Sequence, residues 1–309
     1  MQSIHHHEHR HLGWDAATPA AAEVAPGDDV EVVLEDAFGG QLTALAGPED
    51  VLALDLSAAN PLTGPIDVMG AAPGDVLAID LVEVEVGTIG WTALIPGFGL
   101  LADEFPDPHV VVSTIGDDVI RFGDIARLPT RPFLGTVGLA PAAPGPHSVI
   151  PPRQVGGNLD CRDVRAGARL LLPVEVAGAR FSAGDAHGAQ GDGEVCGTAI
   201  ETTARAHVRL SVTGGRPLGA PRLELPAERR ASGAEPRTPE RTMTMGVGPD
   251  LMAGARDATR RMIEVLVDRG VAAPDAYALC SVAGNLRIVE VVDVPNWVVG
   301  LELDLGVLV

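Results

Sequence analysis

The densest group of side chains that could do chemistry lies between Ser182 and Glu194. This segment of thirteen residues contains four glycines, the imidazole of His187 and the carboxylates of Asp185, Asp192 and Glu194. Glycines permit tight turns that bring short acidic side chains to one point. The spacing of Asp185 and His187 places both side chains on the same side of an extended chain. The segment therefore predicts an acidic loop that binds a cation.

The ligand types in this segment favour a transition metal or zinc. Carboxylate oxygen and imidazole nitrogen suit a borderline cation such as zinc, and sites of this kind leave one coordination position for water. A calcium-type or purely structural acidic turn is the alternative, but histidine is a poor calcium ligand and the DxDxDG pattern of an EF-hand is absent. We predict zinc, with calcium as the alternative for a second or structural ion, and Glu194 as the base that takes a proton from water.

A second polar turn, from Gly156 to Asp160, precedes the acidic segment. Asn158 has the chemistry to orient a substrate carbonyl, and Asp160 has the chemistry to bind the metal. An ordinary Asn/Asp turn is the alternative interpretation. The position of this turn one hairpin before the acidic segment favours a functional role, with Gly157 and Gln190 as the predicted substrate contacts.

Composition excludes several classes of function. The formal net charge is −20, and a field of that sign repels phosphate backbones and anionic lipid headgroups. All 22 basic residues are arginine, so amidases that depend on a Cys–Glu–Lys or Ser–Ser–Lys triad are excluded. The three cysteines are far apart and predict neither a disulfide framework nor a CxxC zinc site. A small-molecule substrate fits this composition best.

Strand patterns dominate the first two thirds of the chain. Alternation of apolar and polar residues over 30–36 and 76–84 follows Pro-Gly-Asp turns, and a third strand is predicted over 169–176. Turn-and-strand units without intervening helices are typical of a sandwich or barrel. The frequent turn residues, 37 glycines and 25 prolines, agree with many short strands.

Helical spacing is found only near the C-terminus. It predicts helices over 249–270 and 274–279, followed by a strand over 286–294. The predicted fold is mainly β, sandwich- or barrel-like, with a small C-terminal α/β part. We divide it into an N-terminal β region, 1–130, and a region over 131–309 that carries the acidic segment, with one compact unit as the alternative. Residues 214–241 are predicted to be an exposed excursion or linker.

The chain begins with a histidine-rich tract of His5, His6, His7, His9 and His11. The tract is either a native segment with a role in the site or an incidental disordered tail, and the sequence leaves both open. Apolar loops over 60–66 and 90–101 predict the wall of a small pocket or contact with a neighbouring subunit, and hence a homo-oligomer. The absence of a signal peptide and of an 18-residue apolar run predicts a cytoplasmic protein.

Ordered sequence blocks along the chain match a known family. They are VAPGD (24–28), DAFGGQ (36–41), NPLTGPI (60–66), PGFGLL (96–101), GGNLD (156–160), FSAGDAH (181–187) with its continuation to 201, and VVDVP (291–295). Through them the chain resembles the acetamidase/formamidase family over nearly its full length. The resemblance implies a mainly β architecture and metal-dependent hydrolysis of formamide, acetamide or similar amides to carboxylate and ammonia. It also implies Asp160, Asp185 and His187 as the metal ligands.

Two further functions remain as alternatives. The first is hydrolysis of a larger or cyclic amide on the same scaffold. Separately, Gly188 replaces the alanine that often follows the histidine in this family and is expected to widen the site, which affects the substrate preference. The second is a non-enzymatic β-sandwich protein in which the acidic segment only holds structure. For the amidase, we predict that Glu194 delivers a proton to the amide nitrogen while Asn158 or backbone N–H groups stabilise the oxyanion.

Overall fold

The computed structural model describes residues 1–214, 216–225 and 241–308, and these residues form two large β-sheets. The first, sheet A, has nine strands. In order across the sheet they are β1 (Gln2–His5), β4 (Asp28–Leu34), β16 (Ala204–Thr213), β6 (Val76–Val86), β13 (Arg169–Pro173), β17 (Arg222–Leu225), β18 (Arg241–Gly248), β20 (Trp297–Asp304) and β19 (Asn285–Glu290).

The second sheet, sheet B, has eleven strands and carries most of the polar side chains discussed below. Its main path runs through β10 (Ala126–Pro129), β9 (Val119–Phe122), β8 (His109–Ile115), β7 (Ile89–Leu94), β15 (Glu201–Thr202), β14 (Phe181–His187), β11 (Phe133–Gly138) and β12 (Gly156–Asn158). Beside this path, β5 (Leu62–Val68) pairs with β14, β2 (Arg10–His11) and β3 (Ala22–Val24).

The two sheets pack face to face around one apolar core. Val32 and Ile79 of sheet A and Leu134 and Phe181 of sheet B belong to this core and are fully buried. Alternation along each strand directs one set of side chains into the core, which is the arrangement of a β-sandwich. The predicted mainly β fold is therefore confirmed, and its early strand patterns correspond to β4, β6 and β13.

The C-terminal helices pack on the outer face of sheet A. Helix α3 (Leu251–Asp268) begins after Asp250, whose carboxylate accepts a hydrogen bond from the amide of Ala253 at 2.7 Å. Helix α4 (Ala273–Ala283) packs against α3. The helices α1 (His6–His9) and α2 (Pro48–Leu52) and the 3-10 turns Leu56–Ala58 and Leu305–Val307 are short. The small C-terminal helical part is thus as predicted.

Part of the predicted linker over 214–241 is a strand instead. Residues Arg222–Leu225 form β17 between β13 and β18, with Leu223 completely buried. Four alternating residues between stretches rich in Gly, Pro and Arg are too short to stand out as a periodic pattern. Residue 215 and residues 226–240 of the predicted linker lie outside the described part of the chain.

Both sheets combine strands from either side of residue 130. In sheet A, β6 pairs with β13 and β16, and in sheet B, β7 pairs with β15. The division into 1–130 and 131–309 stays a prediction, but the core that positions the site is continuous across it.

Among the described residues, none of the helices combines the length and apolar character that a membrane span requires.

Candidate functional site

Strand β14 carries two of the predicted metal ligands, Asp185 and His187. The prediction of a loop is wrong for these residues, because Phe181–His187 is a central, fully buried strand that pairs with β5, β11 and β15. Asp185 has a positive φ of 55° within this strand. Its Oδ1 lies 3.1 Å from Nε2 of His187, so the two side chains meet as the spacing predicted.

Glu201 approaches the same imidazole from the neighbouring strand. In the pairing of β14 with β15, Glu201 lies opposite His187. Its Oε2 is 2.9 Å from Nε2 of His187, and both side chains are at most 3% exposed. Although burial alone lowers the pKa of His187, the carboxylates of Glu201 and Asp185 raise it well above its usual value.

Asp160 and Glu194 complete the cluster from two loops. The described residues contain two overlapping groups whose ligand atoms lie within 4.8 Å of one another. One group is Asp160, His187 and Glu194, and the other is Asp185, His187 and Glu201. Asp160 and Glu194 have positive φ values of 42° and 46°. Such conformations cost about 1–3 kcal/mol each for residues other than glycine and concentrate at functional sites.

Gly135 of β11 makes the convergence of the carboxylates sterically feasible. A Cβ atom at this position would lie 2.5 Å from Oδ1 of Asp160, 2.5 Å from Oδ2 of Asp185 and 2.8 Å from Cε1 of His187. These distances are far below van der Waals contact. A residue without a side chain is therefore required where β11 passes beneath the cluster.

Asn158 connects the cluster to a further acidic turn. Its Nδ2 donates a hydrogen bond of 2.5 Å to Oδ2 of Asp293, and its Oδ1 accepts one from the hydroxyl of Thr136. The strand predicted over 286–294 ends earlier, at Glu290, whose carboxylate accepts hydrogen bonds from the amides of Val292 and Asp293. This turn directs Asp293 towards Asn158.

Six buried carboxyl groups belong to the cluster around His187 or interact directly with its members. They are Asp160, Asp185, Glu194, Glu201, Glu290 and Asp293. Burial raises the pKa of Glu201 and Asp293 to about 7 and that of Glu290 to about 8. Burial also raises the pKa values of Asp160 and Glu194 well above their usual range. Asp185 is the exception, because His187 lowers its pKa despite burial.

This excess of buried negative charge fits a cation. Burying ionised carboxylates without compensating charge is costly, so they must either take up protons or bind a positive ion. Within the described residues, neither carboxylate oxygen of Asp160 nor Nδ1 of His187 has a hydrogen-bond partner. Unpartnered oxygen and nitrogen atoms of this kind are suitable ligands for a divalent metal ion.

A cavity of about 370 Å³ opens beside the cluster. Its polar end is formed by Asn158, Asp185, Glu194, Glu201 and Asp293. The remaining wall is mainly apolar and includes Phe38, Leu56, Ile95, Pro96, Phe98 and Ile150. A few convergent polar groups in an otherwise apolar cavity are typical of a small-molecule site. The prediction of apolar loops over 60–66 and 90–101 is wrong for most of both segments, because 62–66 belong to β5 and 90–94 to β7. Asn60 and residues 95–98 nevertheless form part of the cavity wall, as predicted for a small pocket.

The predicted substrate contacts Gln190 and Gly157 do not line this cavity, and their role stays a prediction. Nε2 of Gln190 donates a hydrogen bond of 2.8 Å to the backbone carbonyl of Asp160, and Gln190 lines a neighbouring cavity of about 430 Å³. Gly157 lies in β12 opposite Val137 and is not among the described residues that line either cavity. Gly188, which was expected to widen the site, packs against a separate apolar cluster instead. A Cβ atom added at Gly188 would lie 3.1 Å from Cδ1 of Ile115, which belongs to that cluster. Asn158 does line the cavity.

The N-terminal histidines are ordered parts of the fold. His5 ends β1, and His6, His7 and His9 belong to α1. His11 is held by its Nε2, 2.9 Å from the hydroxyl of Ser182, and by its Nδ1, 2.8 Å from the carbonyl of Gly13. None of the five belongs to the metal-competent groups found among the described residues.

Sequence reasoning from the residues missed Glu201, Glu290 and Asp293. Glu201 ends the sequence block that begins at Phe181, and Asp293 is the only charged residue of the block VVDVP. A charged residue inside an otherwise apolar run was therefore the signal that could have identified Asp293. Glu290 gave no comparable signal, because it occupies an alternating position of a predicted strand.

Known proteins resemble this chain in sequence and in fold. The model of the Acetamidase/Formamidase family matches residues 1–149 and 143–308. A formamidase from Methylophilus methylotrophus is 30% identical over 65% of the chain, and an acetamidase from Mycolicibacterium smegmatis is 29% identical over 62%. Each alignment spans 63% of the relative's own length. The crystal structure of an acetamidase from Bacillus halodurans superposes with a TM-score of 0.89 at 30% identity, covering 99% of this chain and 98% of the other.

Proposed function

Because the chain belongs to the acetamidase/formamidase family, we propose that it hydrolyses short aliphatic amides such as formamide and acetamide. The products are a carboxylate and ammonia. The observation that carries this proposal is the convergence of Asp160, Asp185, Glu194 and Glu201 on His187 at the polar end of a cavity.

A divalent metal ion, with zinc as our first choice, fits the ligand atoms of this cluster. Asp160, Asp185 and His187 would hold it, with Glu201 of the second group as a further ligand, which leaves Glu194 free for proton transfer. When bound, such an ion supplies Lewis-acid polarisation of an amide carbonyl. Calcium remains our candidate for a second or structural ion, since it prefers carboxylate oxygens.

The chain's own residues supply the proton transfers. Amide resonance makes the carbonyl a poor electrophile and the nitrogen a poor leaving group, so the nitrogen must be protonated as the C–N bond breaks. Glu194 is buried and lines the cavity, and it can accept a proton from the attacking water and deliver it to the amide nitrogen. Burial raises the pKa of Glu194, so this carboxyl group takes up a proton more readily than an exposed glutamate does.

Asn158 orients the substrate. Its Nδ2 uses one hydrogen for Asp293, which leaves the second hydrogen available for the oxyanion that develops on the carbonyl oxygen. The hydrogen bond from Thr136 to its Oδ1 determines which way the amide group faces. Asp293 therefore acts as a positioning residue for Asn158.

The charge of the cluster also selects among ligands. A neutral amide can approach the buried carboxyl groups without repulsion, whereas the carboxylate product is repelled by those that are ionised. We therefore expect the ionised carboxyl groups that no metal ion neutralises to favour product release.

A homo-oligomer is part of the proposal. The segment after the cavity wall exposes three large apolar side chains, since Leu100 is 53%, Leu101 48% and Phe105 57% exposed. Exposed apolar patches of this kind are typical of subunit contacts. Molar mass from light scattering at several concentrations tests this part independently of the chemistry.

Ammonia release from formamide and acetamide tests the proposed activity. The protein is assayed as purified, after chelator treatment, and after zinc is added back. We expect turnover that is lost with the chelator and restored by zinc. If the chelator lowers the melting temperature but no metal-loaded form releases ammonia, the structural, non-enzymatic interpretation replaces the amidase.

A further inference from the structure

We propose that this site prefers primary amides with an apolar acyl group of about four to six carbons over formamide and acetamide. The inference rests on the proposed amidase function and names the substrate class within it. It depends on the size, polarity and rigidity of the cavity beside the acidic cluster.

The cavity separates polar and apolar surface. Its four carboxyl groups and the Asn158 amide adjoin one another, because Asn158 is hydrogen-bonded to Asp293 and ligand atoms of Asp185, Glu194 and Glu201 lie within 4.8 Å of His187. The large apolar residues that line it are Phe38, Ile95, Phe98, Ile150 and Leu56, of which Leu56 is 56% exposed. A carboxamide at the polar end would therefore direct its acyl group along an apolar wall.

The volume exceeds that of acetamide. A water molecule occupies about 30 Å³ of liquid, so 370 Å³ corresponds to roughly twelve waters. Acetamide has only four non-hydrogen atoms and would leave the apolar wall in contact with water. Each methylene that replaces this water is worth about 0.8 kcal/mol, or roughly a fourfold change in affinity.

The wall is held in place by close backbone packing. A Cβ atom at Gly197 would lie 2.5 Å from Cδ1 of Phe98, so the ring rests directly on the Gly197 backbone. The amide of Leu100 donates a hydrogen bond of 2.9 Å to the carbonyl of Val195, which ties the Phe98 loop to the segment after Glu194. This wall cannot readily collapse onto a smaller substrate.

Phe38 is a second aromatic residue of the cavity wall, and it is also held in place. Its amide donates a hydrogen bond of 2.9 Å to Oδ1 of the buried Asp36, and its side chain is 4% exposed. Since both aromatic residues are held by contacts with the protein itself, a larger acyl group gains their apolar surface without an ordering cost.

A series of primary amides tests this inference on the metal-loaded protein. Formamide, acetamide, propionamide, butyramide, isobutyramide and benzamide are compared by ammonia release. We expect kcat/KM to rise roughly fourfold for each added methylene between acetamide and butyramide. A kcat/KM that is highest for formamide or acetamide and falls with acyl size overturns the inference and leaves the proposed function standing. No ammonia from any amide overturns both.

One substitution in the wall and a matched control outside it probe the same point. In Phe98→Ala, the butyramide-to-acetamide ratio of kcat/KM should fall about tenfold, because part of the apolar contact is lost. Phe105→Ala is the matched control, since Phe105 is 57% exposed on the same segment and is not part of the cavity wall. An unchanged ratio in Phe98→Ala would contradict the role of this wall.

Filling the cavity should act in the same direction. Ala59 lines the cavity, so Ala59→Leu should lower the butyramide-to-acetamide ratio by at least about fourfold. Ala53→Leu places the same side chain at an exposed position outside the cavity and should leave the ratio as in the unmodified protein. A higher ratio in Ala59→Leu would show that the acyl group lies elsewhere.

Discussion

Oε2 of Glu201 lies 2.9 Å from Nε2 of His187, and the two residues face each other across neighbouring strands of sheet B. This cross-strand pair joins one metal-competent group to the other through a shared imidazole. Its position in a buried sheet makes the acidic cluster part of the core of the protein. The charge of the cluster should therefore affect stability as well as chemistry.

The metal-free protein should lose stability as the pH rises from about 4 to 8. Burial raises the pKa of Glu201 and Asp293 to about 7 and that of Glu290 to about 8, so the folded state binds protons more tightly than the unfolded state. For groups with raised pKa values, the stabilisation is complete below the unfolded pKa and is lost as the pH passes the folded pKa. Each tenfold change in proton affinity is worth about 1.4 kcal/mol.

Denaturant titrations at several pH values in the presence of chelator measure this slope. The free energy of unfolding should decrease by several kcal/mol across the range, and zinc should flatten the dependence. Stability that instead rises between pH 5 and 8 in the metal-free protein would mean that these carboxyl groups are stabilised as anions by something other than a metal.

Zinc should raise the melting temperature of the chelator-treated protein. An ion that binds the folded cluster and not the unfolded chain stabilises by about 2.7 kcal/mol at a hundredfold excess over Kd. The gain should be much smaller in Asp160→Asn, because this substitution removes one carboxylate from the first group. Metal content after gel filtration and thermal unfolding are the measurements, with Asp107→Asn on an exposed loop as the control. Equal gains in both variants would remove Asp160 from the ligand set.

Glu194→Gln should retain the fold and lose turnover. General acid–base catalysis contributes typically about 10²- to 10⁴-fold, and the amide side chain cannot transfer the proton. We expect kcat to fall by at least about 10²-fold with the same metal content. Glu104→Gln, at an exposed position, serves as the control. Near-normal kcat in Glu194→Gln would assign the proton transfer to another residue.

Gly135→Ala should disrupt the cluster. Its Cβ would lie 2.5 Å from oxygens of Asp160 and Asp185, so these side chains must move apart. Overpacking of this kind typically costs about 1–3 kcal/mol. We expect a lower melting temperature, reduced metal content and little ammonia release. In the control, Gly191→Ala, no described atom lies within 4 Å of the added Cβ, and it should behave like the unmodified protein.

Local sequence patterns were sufficient for the architecture. Alternation over 30–36 and 76–84 identified strands whose inward side chains form the core, and helical spacing over 249–270 identified α3. These predictions succeeded because strand and helix periods are properties of consecutive residues. Where the segment was short, as in Arg222–Leu225, the pattern failed and the neighbouring strands determined the structure.

The spacing of Asp185 and His187 also indicated that their side chains meet, since both lie on one strand. Which other residues join them was decided only by the tertiary structure. Glu201 reaches His187 through the register of β15 against β14, and Asp293 reaches Asn158 through a turn more than 130 residues further along the chain. Strand register and the left-handed backbone of Asp160 and Glu194 depend on packing between distant segments, and no local pattern records them.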